Sequence, residues 1–213
     1  MQQITTPQLV KMFDAITDAL SADKDRLCAL DGAVGDADHG VAMELGFNAV
    51  RIALSTIDTS TTEPATVFNL AAKSFLNAVG ASSGPLYATA LLRAGAAVKG
   101  KAQLADSDVV HIVQAMAKGI QERGKAEPGE KTMIDAWHPA SRAIETAHAD
   151  GLDLMQCLEA ALSAARGGAQ ATKTMIATKG RSARLGDRSL GHMDPGAASA
   201  VTIIAAIKSA LAG

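Results

Sequence analysis

Aromatic residues are scarce in this sequence: one Trp, one Tyr and four Phe make up 3% of its 213 residues. Apolar residues nevertheless account for 48% of the chain, and many segments are rich in alanine. β-Sheets favour aromatic and β-branched side chains, whereas alanine is the best helix former. The composition therefore predicts an all-α fold of closely packed helices. A single domain over residues 1–213 is expected, because that length suffices for a buried core.

Basic clusters and long apolar runs are also missing. The net charge is −2 and no basic run stands out, so the electrostatic footprint of a nucleic-acid-binding protein is lacking. No apolar stretch approaches the ~18 residues that a membrane-spanning helix needs. Cys28 and Cys157 lack the spacing of a metal or disulfide pair, which is typical of core thiols in a reducing compartment. We expect a cytoplasmic protein that binds neither nucleic acid nor a membrane.

Helical periodicity recurs almost throughout. Thr6 and Pro7 predict the start of the first helix. The apolar spacing then predicts helices over about 40–54, 64–80, 85–100, from 106, over 132–147, over 153–178 with a break at Gly167-Gly168, and after Gly196. No convincing strand or internal repeat interrupts this pattern.

Four interhelical loops, 31–40, 80–85, 124–131 and 179–196, are rich in Gly, Ser, Asp or Pro. Each carries groups that suit a polyanion. In an antiparallel array, loops separated by an even number of helices gather at the same end. If these four do so, one pole of the bundle becomes a polar bowl of phosphate size.

The first of these loops holds three carboxylates, Asp31, Asp36 and Asp38. Two like charges about 4 Å apart at an effective dielectric near 20 repel by roughly 4 kcal/mol, so three that converge either take up protons or bind a cation. Oxygen ligands favour Mg²⁺, Ca²⁺ or Mn²⁺, and the calcium-loop template fails because Val41 and Phe47 occupy its Gly and Glu positions. A Mg²⁺ site open to phosphate fits better. The alternative is a solvated acidic turn capping the next helix.

The other loops carry weaker signals. Ser82 and Ser83 precede a helix whose N-terminus would attract an anion, or they simply cap it before Pro85. In the only notably basic loop, Arg181 or Arg184 could neutralise phosphate or could pair with a nearby Asp. His39 could bond phosphate or face solvent. The segments 95–101 and 119–125 imitate a P-loop, but neither follows a strand and each is followed by Ala, so we reject that interpretation.

Taken together, the loops resemble the nucleotide-binding L subunit of dihydroxyacetone kinase. The resemblance covers nearly the whole chain and is carried by the order and spacing of several motifs. They are Gly-Asp-Ala-Asp-His-Gly at 35–40, Ser-Gly-Pro-Leu at 83–86, Gly-Lys-Ala-Glu-Pro-Gly-Glu-Lys-Thr-Met at 124–133, Lys-Gly-Arg at 179–181, Leu-Gly-Asp-Arg-Ser at 185–189 and Gly-His-Met-Asp-Pro-Gly-Ala at 191–197.

The resemblance implies an antiparallel barrel of about eight helices with ADP or ATP at one end. Asp31, Asp36 and Asp38 would bind two Mg²⁺ ions that bridge the nucleotide phosphates. The nucleotide contacts implied by motif matching are His39, Gly40, Val41, Ala42, Ser82, Ser83, Gly124, Met133, Arg181, Asp194, Pro195 and Gly196. Ala42 stands where family members often carry Asn, so that only its backbone could take part.

In that family a separate K subunit holds the ketose, which agrees with the lack of an organic-substrate site in this sequence. The phosphoryl donor would be either ATP itself or a retained ADP that a phosphocarrier M subunit of the phosphotransferase system recharges. Two other functions stay open: a non-catalytic nucleotide-dependent module acting on a transcription factor, and a stand-alone metal phosphohydrolase. The sequence does not indicate which ketose is used or whether the chain forms a homodimer.

Overall fold

The helices begin and end close to where the sequence predicts them. The computed structural model describes residues 3–212. The expected single domain of 1–213 therefore includes three residues, 1, 2 and 213, outside the described range. Within this range there are eight α-helices and, in place of any strand, one isolated bridge between Ile4 and Leu104. The helices are α1 (Thr6–Gly32), α2 (His39–Leu54), α3 (Pro64–Ala78), α4 (Ser83–Ala97), α5 (Asp106–Gly124), α6 (Ile134–Ala149), α7 (Leu154–Ala171) and α8 (Pro195–Leu211). The all-α prediction is confirmed.

The first helix illustrates how local chemistry sets these bounds. Thr5 is its N-cap, and the side chain of Gln8 accepts the Thr5 backbone N–H at 2.9 Å, which completes a capping box. The helix then continues to Gly32. Asp31 therefore lies in the last turn of α1, not in the loop where the sequence pattern had placed it.

Each helix packs against the next along the chain, and α8 packs against α1 to close the ring. The buried apolar residues form one connected core inside this ring, including Phe13, Phe47, Phe75 and Tyr87. In such an arrangement alternate connections lie at the same end, which brings together the loops α1–α2, α3–α4, α5–α6 and α7–α8. No helix among residues 3–212 is long and apolar enough to cross a membrane.

The predicted break at Gly167-Gly168 is wrong, because α7 runs unbroken through both glycines to Ala171. A Cβ atom on Gly168 would lie 1.8 Å from the carbonyl oxygen of Asp135, so glycine is needed here to let α6 and α7 approach closely. Beyond α7 the chain forms a short 3₁₀ turn over Thr172–Thr174 and a longer irregular 3₁₀ segment over Ser182–Ser189. The loop after α7 is consequently longer than the periodicity indicated.

Candidate functional site

A cleft of about 410 Å³ opens at the end of the ring where the four polar loops meet. This volume is within the range of small-molecule sites. Every one of the four loops contributes to its lining, so they do share one pole. The lining residues that sequence analysis had named are Asp31, Asp36, Asp38, His39, Ala42, Ser82, Ser83, Gly124, Met133, Arg181, Asp194, Pro195 and Gly196.

Two of the residues implied by motif matching do not line the cleft. Gly40 faces α1, where a Cβ atom would lie 2.1 Å from the carbonyl oxygen of Lys24. Val41 points outward and is 52% exposed. Both residues therefore serve the packing and surface of α2 in this structure, and their part in nucleotide binding stays a prediction.

The carboxylate of Asp31 is oriented by the backbone of the loop that follows it. One of its oxygens accepts the N–H groups of Asp38 at 2.9 Å and His39 at 3.2 Å. These two hydrogen bonds fix the direction in which the carboxylate points. A Cβ atom on Gly35 would lie 2.3 Å from the other oxygen, so only glycine lets the loop fold this tightly over Asp31.

The three carboxylates converge. Oxygen atoms of Asp31, Asp36 and Asp38 all lie within 4.8 Å of one another. Arg181 crosses from the α7–α8 loop and forms ion pairs with both Asp36 and Asp38, at 3.2 Å in the latter case. One guanidinium leaves the cluster with a net negative charge, and its ligand atoms are all oxygen. The residues therefore fit a hard divalent cation such as Mg²⁺.

Four helix N-termini surround the same cleft. α2, α4, α6 and α8 all begin there, at His39, Ser83, Ile134 and Pro195. Each N-terminus carries a partial positive charge and N–H groups without intrahelical partners. Such groups bind phosphate readily, so the cleft combines a cation site with anion-binding backbone.

His39 links two of these helix starts. Its Nε2 lies 2.9 Å from the hydroxyl oxygen of Ser199, which in turn donates to the carbonyl of Gly196 at 3.0 Å. Because Ser199 uses its proton on that carbonyl, His39 is assigned as the donor through Nε2. Burial lowers the pKa of His39, with the Asp31 carboxylate acting in the opposite direction, which favours the neutral ring.

Part of the cleft lining is apolar, and we call it the apolar wall. It consists of Leu86, Ile120, Ala126, Met133 and Ile134. A Cβ atom on Gly124 would lie 3.0 Å from the side chain of Leu86. Because this residue is glycine, no further side chain covers the wall there. A flat apolar ring such as a nucleobase matches this wall, while the carboxylates and the helix N-termini match metal and phosphate.

The cleft also contains a group of buried ionisable side chains, Lys131, Asp135 and Asp194, which are 1%, 4% and 8% exposed. Lys131 and Asp194 line the cleft, and sequence analysis had named only Asp194. Asp135 accepts the N–H groups of Gly129 and Thr132. Burial raises the pKa of Asp194 to about 7, although its carboxylate accepts the Ala197 N–H at 2.7 Å as the cap of α8. Burial also lowers the pKa of Lys131. The only sequence signal for Lys131 was its place inside the 124–133 motif.

Comparison with known proteins places this geometry in context. A family model described as the DAK2 domain matches residues 33–209. The chain is 37% identical to the ADP-binding subunit DhaL of the PEP-dependent dihydroxyacetone kinase of Escherichia coli K12 over 196 residues, 92% of each chain. It is 39% identical to the corresponding subunit of PEP-dependent dihydroxyacetone kinase 1 of Listeria innocua over 188 residues, 87% of this chain and 86% of the relative.

A solved structure is similar as well. The dihydroxyacetone kinase of C. freundii in complex with AMP-PNP and Mg²⁺ superposes with a TM-score of 0.72 at 26% identity. The match covers 98% of this chain but 35% of that protein, so this chain corresponds to about a third of its length.

Proposed function

This chain belongs to the DAK2 domain family, and on that premise we propose that it is the nucleotide-binding, phosphoryl-donor subunit of a dihydroxyacetone kinase. It carries ADP or its phosphorylated form in the cleft. The acceptor is dihydroxyacetone or a related short ketose, held by a separate K subunit.

The observation that carries this proposal is the convergence of three unlike features in one cleft. A carboxylate trio, four helix N-termini and an apolar wall all border it. A Mg–nucleotide complex offers a partner for each of these features: a metal, a phosphate chain and a base.

Asp31, Asp36 and Asp38 would hold Mg²⁺, as two ions in our proposal. The bound metal neutralises the negative charge that develops on a transferring phosphoryl group. The protein's own groups do the remaining work: backbone N–H groups and the hydroxyls of Ser82 and Ser83 bind phosphate oxygens. Arg181, already beside the trio, is placed to bond phosphate with its guanidinium.

The ketose must come from a partner. The cleft lining is dominated by groups that suit a metal and a phosphate chain, namely carboxylates, two arginines and helix N-termini. The cleft is open to solvent at the pole, where Asp36 and Asp38 have half-exposed side chains. A K subunit docked over this pole would bring its substrate hydroxyl to the phosphoryl group.

We further propose that ADP stays bound and that a phosphocarrier M subunit recharges it. The two curated relatives above, which match over most of their own length, are both named as ADP-binding subunits of PEP-dependent kinases. Direct use of ATP is the alternative version. Self-association as a homodimer is compatible with either.

Nucleotide retention separates the two versions. The purified chain is loaded with ADP and Mg²⁺, passed through gel filtration and analysed for nucleotide. We expect close to one ADP per chain, and prompt loss would favour ATP as a dissociating substrate. A second assay adds the phosphocarrier system, a K subunit and dihydroxyacetone, where we expect dihydroxyacetone phosphate only if the K subunit is present. If none forms with all components present, the proposed function is wrong.

A further inference from the structure

The buried side chain of Lys131 links parts of the chain that are distant in sequence. It is 1% exposed, and its ammonium donates to the carbonyl oxygens of Thr172 and His192. The first carbonyl follows α7 and the second lies just before α8. Within residues 3–212 no carboxylate lies within 4.0 Å of this ammonium, so the two carbonyls are its partners.

The same short stretch before α8 is held by two other bonds. The Asp194 N–H donates to the Thr172 hydroxyl at 2.9 Å, and the Gly191 N–H donates to the Lys173 carbonyl at 2.8 Å. Together with the ammonium of Lys131, they fasten residues 191–194 to residues 172–173. We call this set of bonds the clasp.

The clasp borders the cleft, and Lys131 itself is one of the lining residues. Asp194, Pro195 and Gly196 continue from it and line the cleft at the start of α8. A Cβ atom on Gly196 would lie 3.3 Å from the Cβ of Met133, so the turn packs closely against the wall two residues beyond Lys131. The position of one helix N-terminus and of the apolar wall therefore depends on the same ammonium.

We propose that Lys131 is a positioning residue of the nucleotide site, which holds the Asp194–Gly196 turn against the Met133 wall through the carbonyls of Thr172 and His192. It need not touch the nucleotide. Its two carbonyl partners lie in the segments after α7 and before α8, which the regular hydrogen bonds of a helix do not join. Removing the ammonium deprives the His192 carbonyl of this donor and leaves the Thr172 carbonyl with the Met175 N–H at 3.2 Å, so the turn is held less firmly and moves away from the cleft.

The chain offers a matched control. Lys125 lies in the same loop with the same left-handed backbone, at φ 51° compared with 59° for Lys131. Its side chain is exposed and does not line the cleft. The substitutions Lys131→Met and Lys125→Met therefore remove the same charge from the same backbone conformation, and they differ in burial and partners.

Two measurements test the proposal. In Lys131→Met we expect the Kd for ADP with Mg²⁺ to rise at least tenfold, and hydrogen exchange to become at least tenfold faster in peptides covering 191–198. Exchange at 33–40, in a different loop of the cleft, should stay within twofold of wild type, which a general loss of structure would not allow. Lys125→Met should match wild type in both measurements.

Either an unchanged ADP affinity or unchanged exchange at 191–198 in Lys131→Met would overturn the proposal, as would exchange that is equally faster everywhere. If Lys131→Met does not fold, Thr172→Val decides, because it removes the hydroxyl that binds Asp194 and keeps the ammonium's carbonyl partner. It should show the same local change with about a threefold weaker affinity, and wild-type behaviour would refute the clasp.

The affinity readout rests on the proposed function. The exchange readout needs no nucleotide, so a wild-type chain that fails to bind ADP would refute that function alone.

Discussion

Two charged regions of this protein face the same cleft but differ in their surroundings. In the acidic loop, the side chains of Asp36 and Asp38 are half exposed and are balanced by an arginine from another loop. In the second region, Lys131, Asp135 and Asp194 are buried and are bonded mainly to backbone groups. The exposed charges can exchange a partner for a ligand at small cost, since water screens them. The buried charges cannot exchange their partners in this way, so they fix the backbone segments around the exposed charges. We call these buried charges and the segments that they hold the frame of the site.

If this distinction is correct, neutralising the exposed region abolishes ligand binding without affecting the fold. Asp36→Asn and Asp38→Asn should each weaken Mg²⁺-dependent ADP binding by more than roughly 100-fold, the upper end of what loss of an outer-shell partner costs. Helix content by circular dichroism should not change. Asp187→Asn is the control, because Asp187 is exposed and lies outside the cleft lining. Normal affinity in either test variant would remove the metal assignment.

The buried region should instead appear in the pH dependence of stability. Burial raises the pKa of Asp194 to about 7, so the folded state keeps a proton that the unfolded chain releases near pH 4. The protonated carboxyl of Asp194 therefore makes its full contribution to the free energy of unfolding below pH 4. This contribution, at most about 4 kcal/mol, is lost as the pH rises towards 7.

Asp194→Asn removes this ionisation while an amide oxygen can still cap α8. The difference in unfolding free energy between Asp194→Asn and wild type, from denaturant titrations, should change in favour of the variant between pH 4 and pH 7. A difference that is constant with pH would contradict the buried, protonated Asp194.

The next prediction concerns stability and the close contact between Gly168 in α7 and the backbone of α6. Gly168→Ala would place a methyl group 1.8 Å from the carbonyl oxygen of Asp135, so α6 and α7 must separate. We expect a destabilisation of about 3 kcal/mol in thermal or denaturant unfolding. The neighbouring Gly167→Ala meets no atom within 4 Å and should stabilise α7 by about 0.5–1 kcal/mol. Equal effects at the two positions would show that the helices are not in close contact there.

The corresponding change in the exposed region should act on the ligand and not on the fold. In Gly35→Ala the added methyl group would displace the Asp31 carboxylate, which it would approach to 2.3 Å. The factor by which Mg²⁺ strengthens ADP binding should fall about tenfold, equivalent to about 1.4 kcal/mol of binding free energy. The free energy of unfolding should change by less than about 1 kcal/mol. Gly80→Ala adds a methyl group in open space and serves as the control. A large loss of stability in Gly35→Ala would mean that the acidic loop is part of the frame.

The sequence predicted the fold and much of the cleft lining for identifiable reasons. Helix starts follow from local signals that act within one turn, such as Asp194 with Pro195 for α8 or Pro7 for α1, although the N-cap of α1 is Thr5 and not the predicted Thr6. The acidic trio was recognisable because three carboxylates so close in sequence must converge or repel. The resemblance of the ordered motifs to a known family added the nucleotide.

The misses share a physical cause, which is contact between segments distant in sequence. Gly168 looks like a helix breaker by itself, and only the approach of the Asp135 carbonyl explains a glycine inside α7. Lys131 looks like part of a flexible turn, and only the carbonyls of Thr172 and His192 explain its burial. Local pattern carries no information on either partner.

The most direct test of the account is a crystal structure with ADP and Mn²⁺, using anomalous scattering to locate the metal. We expect Mn²⁺ within coordination distance of Asp31, Asp36 and Asp38, as two ions between these carboxylates and the phosphates, with the base against the Leu86–Met133 wall. A nucleotide bound elsewhere, or bound in the cleft without metal at the carboxylate trio, would contradict the account.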